Sequence, residues 1–336
     1  MPPEPQGICA ACKKPASDVC GGCKSDTYSV YYCGQVCQKN DRPNHKNACK
    51  DAQLEKALTR IAEIARQAYL NFRETTWDIP VVRIDQVPDD KTKSSSHFSN
   101  FPAHMATSQN VREAALVAMH CDEPQAHLHG LIKALTEGRM PVEIEELEVF
   151  LRLISQKVTI SREGAGTNAN WPNYRHAILR IRSEKTKTQW IIDITGAQYG
   201  IRRALWKWRD YENMHMAVVA RVYELGYFKY LLDKASKIQG MDGLSYRVGM
   251  LAAGNLDQAI TKWAVGHKKL AEIIGLDEEA YQVDKASLLE SMDTAVRSFV
   301  AANNFNAQFR EAKAYDRKYP GKSANEIIMI AKTYCE

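Results

Sequence analysis

From residue 51 to 73 the apolar side chains Leu54, Leu58, Ile61, Ala65, Ala68 and Phe72 recur at intervals of three and four. That period lines one face of a helix, while Arg60, Glu63, Arg66 and Gln67 fill the other. The stripe predicts a helix that docks on the rest of the protein. Pro80 closes this region, and Val81-Val82-Arg83-Ile84 reads as a short strand. Pro88-Asp89-Asp90-Lys91 and Lys93-Ser94-Ser95-Ser96 have little to bury, so residues 88–109 read as a linker or loop. Helices are expected at 110–120 and 125–137, with Pro124 in the first turn of the second and Gly138 as its stop. From Glu143 to Gln156, Ile144, Leu147, Phe150, Leu151 and Ile154 share a helical face, which predicts a third helix.

Residues Gly164 to Asn168 read as a loop, without the Gly-Lys-Ser/Thr ending of a phosphate loop. A hairpin follows. His176-Ala-Ile-Leu-Arg-Ile-Arg182 alternates, Ser183 to Thr188 turn the chain, and Gln189 to Ile194 return. From His215 onward the pattern predicts helices at about 215–235, 256–274, 284–303, 305–317 and 323–333, punctuated by Gly240, Gly243, Gly254, Gly275 and Pro320-Gly321. The expected fold class is α+β: a small N-terminal finger, then a mainly helical body with a small antiparallel sheet. The expected divisions are the finger at 1–50, a docking helix and strand at 51–87, the linker at 88–109 and the body at 110–336, with its hairpin at 176–194.

The finger is inferred from cysteine spacing. Cys9, Cys12, Cys20, Cys23, Cys33, Cys37, His45 and Cys49 fall as C-x2-C, C-x2-C, C-x3-C and H-x3-C. Eight such ligands make two tetrahedral zinc sites, each closed by four protein groups and therefore structural. Neighbouring pairs are too close in sequence to share an ion easily. The expected arrangement is interleaved, with Cys9, Cys12, Cys33 and Cys37 on one Zn2+ and Cys20, Cys23, His45 and Cys49 on the other. Disulfides suit small secreted domains, but the start Met1-Pro2-Pro3-Glu4-Pro5 lacks the basic region and apolar run of a signal peptide, so none is expected. With only Cys121 and Cys335 outside the finger, an intracellular, reducing compartment is expected.

Charge narrows the partners. The formal net charge is +5, and seven zinc-bound thiolates with two Zn2+ bring it to about +2. That gives little support to nucleic-acid binding. The basic, aromatic stretch Ile201 to Tyr211, with Arg202, Arg203, Lys207 and Arg209 among Trp206, Trp208 and Tyr211, reads as a core edge with solvated cations rather than a base-stacking platform. No apolar run is long enough to span a membrane.

The stretch Tyr32-Cys33-Gly34-x-x-Cys37-Gln38-x-x-Asp41, followed by His45-Lys46-x-x-Cys49, resembles the MYND zinc finger, and all eight ligand positions match. The resemblance implies a protein-interaction adaptor, with a role in transcriptional regulation. It also implies a proline-rich peptide as one class of partner. The family usually has Trp after the Asp corresponding to Asp41, where this chain has Arg42-Pro43. That Trp helps form the peptide groove, so this departure counts against peptide binding by that route. A finger followed by a body containing Asp193-Ile-Thr-Gly-Ala-Gln-Tyr-Gly200 also looks like MYND proteins found in fungi. The Asn-His-Ser-Cys type of motif found in SET-domain methyltransferases is not present.

One constellation in the body suggests catalysis. A hairpin register with Ile178 opposite Asp193 makes His176 and Asp193 diagonal neighbours on one face. Papain-like and transglutaminase-like cysteine enzymes orient their base in this way. Cys121 lies upstream, next to the helix start near Pro124, and helix N-termini lower thiol pKa. The order Cys121, His176, Asp193 thus matches a cysteine-dependent hydrolase or acyltransferase, or an inactive relative of one. The competing reading makes Cys121 a buried apolar residue and Asp193 a turn cap.

Overall fold

In the computed structural model, four two-residue strands precede one long helix. The structure describes residues 6–24, 29–78, 81–83, 98–138, 140–152, 154–156, 159–162, 166–169 and 175–333. Strands β1 (Gly7–Ile8) and β2 (Pro15–Ala16) pair antiparallel, as do β3 (Asp18–Val19) and β4 (Tyr31–Tyr32). Helix α1 (Gln35–Thr75) is 41 residues long and passes through Pro43 without ending. It begins among the zinc-ligand cysteines and finishes in the body, so residue 50 falls inside a continuous helix.

After β5 (Val81–Arg83) come α2 (Gln109–Val117), α3 (Glu123–His127) and α4 (His129–Thr136). The helix expected at 125–137 is thus two helices, interrupted at Leu128. Residues 88–97 of the expected linker lie outside the described residues. In its second part, Phe98 and Phe101 are buried, and Phe101 packs edge-on to Trp77 at 4.9 Å.

The expected helix over 143–156 is instead a strand, β6 (Val142–Leu151). It is followed by β7 (Thr159–Arg162), β8 (Gly166–Ala169), β9 (Arg175–Ser183), β10 (Gln189–Ile192) and β11 (Leu205–Lys207). Part of the loop expected at 164–168 is therefore strand β8. Helix α5 (Trp208–Met214) leads into β12 (Met216–Glu224), which replaces the helix expected from residue 215; α6 (Tyr227–Ala235) begins only after Gly226. The main sheet has the order β11-β10-β9-β6-β12, antiparallel throughout. Strand β6 lies between β9 and β12, and its acids meet the arginines of β9: Glu145 bonds Arg180 at 2.7 Å and Glu143 bonds Arg182. Opposite charges across a ladder favour this pairing. Pairing on both edges outweighs the helical spacing of Ile144, Leu147 and Ile154.

Helices α7 (Met241–Gly266), α8 (Leu270–Ile273), α9 (Glu278–Ala302), α10 (Asn306–Lys318) and α11 (Lys322–Thr333) complete the body. Gly243 and Gly254 lie inside α7 and do not interrupt it. The largest core joins Leu58, Ile61, Ile64 and Phe72 of α1 to Leu256 and Ile260 of α7. Leu288 and Val296 of α9 join it, as do Leu179, Ile181 and Trp190 of the sheet. Burying each large apolar side chain contributes about 1.5–3 kcal/mol, so the second half of α1 is fixed by packing. Among the described residues, no helix is long and apolar enough to cross a membrane.

Candidate metal centre

Each ligand pair sits on a local structure that its sequence dictates. Cys9 and Cys12 lie in the β1–β2 turn, closed by Cys9 N–H to the Lys14 carbonyl at 2.8 Å and Lys13 N–H to the Cys9 carbonyl at 2.9 Å. Lys13 takes the left-handed conformation this turn requires, φ 62°. Cys20 and Cys23 form a second turn, with Lys24 N–H on the Cys20 carbonyl at 3.1 Å. Cys33 follows β4 directly and Cys37 lies in the first turn of α1. His45 and Cys49 stand one turn apart on α1, so both project from the same side.

The ligand atoms collect into two groups, Cys9, Cys12, Cys33, Cys37 and Cys20, Cys23, His45, Cys49, each with all four atoms within 4.8 Å of one another. This is the interleaved arrangement. Sulfur separations are 3.5 Å for Cys12–Cys33, 3.4 Å for Cys33–Cys37 and 3.8 Å for Cys20–Cys49. Cys23 Sγ lies 3.3 Å from His45 Nε2. A tetrahedron with Zn–S bonds of about 2.3 Å has edges of about 3.8 Å, so these spacings fit the edges of two zinc cages. A disulfide needs about 2.05 Å, and the described cysteines are all free.

Electrostatics point the same way. Hydrogen bonding from the Cys12 backbone, helped by the Cys33 and Ala11 backbone and opposed by desolvation, holds Cys9 down at about 6. Burial raises Cys20, but the His45 ring and the Gly22 and Cys23 backbone outweigh it and bring the thiol to about 6. Their neighbours pay for that ionisation. Burial, then the adjoining Cys20 sulfur, pushes Cys23 up to about 12; the Cys33 and Cys12 sulfurs push Cys37 up to about 12. The sulfurs of one cage ionise together only around a cation, and zinc binding then expels their protons. Bound there, the zinc supplies cross-linking and no open position for chemistry.

The cages have supports that the ligand spacing alone does not reveal. Tyr32 is buried between the sites and donates to Asp41 at 2.8 Å. Gln53 Nε2 donates to Cys49 Sγ at 3.5 Å. Asp51 accepts from Thr186 Oγ1 at 2.5 Å and Thr188 Oγ1 at 2.6 Å, tying α1 to the hairpin turn. The i,i+4 spacing of Cys49 and Gln53 was visible in the sequence, but the Asp51 contact links residues far apart in the chain.

In the body, His176 and Asp193 of the constellation meet directly. His176 Nε2 and Asp193 Oδ1 are 2.9 Å apart, and Tyr211 donates to Asp193 Oδ2 at 2.9 Å. Leu179 faces Ile192 in the β9–β10 ladder, which places Asp193 on the side of His176. Both members of the pair are buried, at 0% and 1% exposure, and His176 Nδ1 has no hydrogen-bond partner among the described residues. The Cys121 thiol bonds the Arg175 carbonyl at 3.9 Å and packs beside Ala126, Ala177 and Phe228. The helix start was expected to lower its pKa. Instead burial, then the Asp122 charge, pushes it well above the ordinary thiol range. Cys121 precedes the Asp122 cap of a five-residue helix, too short and too misplaced to offset that burial. In the basic stretch, Arg203 covers Trp206, Arg180 covers Trp208 and Tyr211 is fully buried, so these rings are engaged within the protein.

No curated protein and no solved structure matches the chain. Residues 9–49 match the family model of the MYND finger, a match that covers the finger and leaves the body outside it. With its eight ligands gathered into two closed tetrahedral cages, this N-terminal segment is a MYND finger fitted to two structural zinc ions.

Proposed function

We propose that the chain is an intracellular protein-interaction adaptor, with transcriptional regulation as its setting, and that the finger is its recognition surface. One observation carries this reading. All eight ligands are consumed in closing the two cages, so the finger offers a partner its surface and not its metal. That surface exposes Ile8 and Val36, at 68% and 72%, each directly before a ligand of the first cage. The test uses the zinc-loaded chain and an Ile8→Glu/Val36→Glu variant as baits, both checked for two zincs. The adaptor reading expects a protein captured by the natural chain and lost with the variant. Equal capture by both would refute the finger as recognition surface.

The hydrolase or acyltransferase reading rests on the His176–Asp193 bond alone. It lacks an activated thiol and a solvent-facing base. Cys121→Ala separates the two: an adaptor keeps its partner binding, whereas a cysteine enzyme loses all turnover.

A further inference from the structure

The second zinc cage has a support outside the matched finger. Gln53 stands one turn beyond Cys49 on α1 and aims its side-chain amide at Cys49 Sγ, 3.5 Å away. Beside that contact lies Gly22, between Cys20 and Cys23. A Cβ on Gly22 would come within 2.5 Å of Gln53 Nε2 and 3.1 Å of Cys49 Sγ. The knuckle glycine therefore leaves the space through which the amide reaches the sulfur. Asp51, two residues earlier, is held by Thr186 and Thr188, so this turn of α1 is clamped by the hairpin as well.

We propose that Gln53 is a positioning residue for the second zinc, donating an N–H···S bond to the Cys49 thiolate and thereby slowing that ion's release. The physical basis is charge. An N–H donor on a metal-bound thiolate draws electron density from the sulfur, making it a poorer base and nucleophile. Protonation or attack by an electrophile at that sulfur begins ligand loss, so the donor protects this cage. The first cage, of Cys9, Cys12, Cys33 and Cys37, has no contact with Gln53 among the described hydrogen bonds and is the internal control.

The test replaces both zincs with 113Cd in the full-length chain and records one resonance per site. A four-sulfur site and a three-sulfur, one-nitrogen site differ in shift, so finding two resonances separately checks the two-metal reading. Gln53→Met keeps the length and removes the donor. It should move only the three-sulfur resonance and speed release of one of the two zincs to a chromophoric chelator by about 10-fold. Gln53→Lys keeps a donor at similar reach and should restore slow release, and Gly22→Ala should copy Gln53→Met by displacing the amide. The proposal is overturned if Gln53→Met leaves the resonance and the rate unchanged. Movement of both resonances together, or failure of Gln53→Lys to restore slow release, also overturns it.

Discussion

Removing zinc should unwind one half of α1 and leave the other half in place. The helix spans Gln35–Thr75, yet its buried residues begin at Leu58. Residues 35–53 form a stretch of about five turns, held by Cys37, His45 and Cys49 at the two cages and by Asp51 at the hairpin. Helix propagation in such a segment is close to neutral, and the internal Pro43 costs about 3 kcal/mol. Each structural zinc contributes on the order of 10–16 kcal/mol, which far exceeds that penalty. Beyond Leu58 the balance no longer depends on metal. Leu58, Ile61, Ile64 and Phe72 are buried, and Arg60 bonds the Ile274 and Leu276 carbonyls at 3.1 and 2.6 Å while covering Tyr281. Hydrogen exchange read by mass spectrometry, with and without a strong chelator, measures this directly. Amides of residues 9–53 should lose protection, and those of 58–75 should keep it, with two zincs released per chain. The reasoning fails if 58–75 lose protection together with the finger, or if 35–49 stay protected after both ions have gone.

Three further outcomes follow from particular contacts. Burial pushes His127 down to about 4 from an ordinary 6.5. Between those values the unfolded chain takes a proton that the folded chain refuses, so this stability is present above pH 6.5 and is lost as pH falls toward 4. It amounts to about 3 kcal/mol at most. Urea unfolding should show this loss, and a His127→Phe variant should flatten that part of the profile; equal slopes would disprove it. Tyr211→Phe removes the 2.9 Å bond to the buried Asp193 carboxylate and should cost about 1.5–3 kcal/mol in urea midpoint terms, whereas an unchanged midpoint would mean that the bond does not form. Arg42 is exposed where the finger family usually carries Trp, so the natural chain should bind a proline-rich peptide weakly by fluorescence polarisation and Arg42→Trp should tighten it. Strong binding by the natural chain would contradict the importance of that position.

The sequence determined the chemistry that depends on local spacing. Ligand pairs two or three residues apart form single turns whatever surrounds them, so Cys9, Cys12, Cys20, Cys23, Cys33, Cys37, His45 and Cys49 were legible, as were the interleaved cages. The stripe from Leu54 to Phe72 and the 176–194 hairpin were legible for the same reason, because one period dominates each. Tertiary structure decided the rest. Val142–Leu151 satisfies both a helical and a strand period, and only β9 and β12 on its two edges make it a strand. Met216–Glu224 is a strand because β6 offers it an edge to pair with. The continuity of α1 through residue 50 needs metal ligands at its beginning and a packed core at its end, since the stretch between them has no apolar stripe of its own. The pKa of Cys121 is set by the burial around it, because desolvation depends on neighbours brought from elsewhere in the chain and not on adjacent residues.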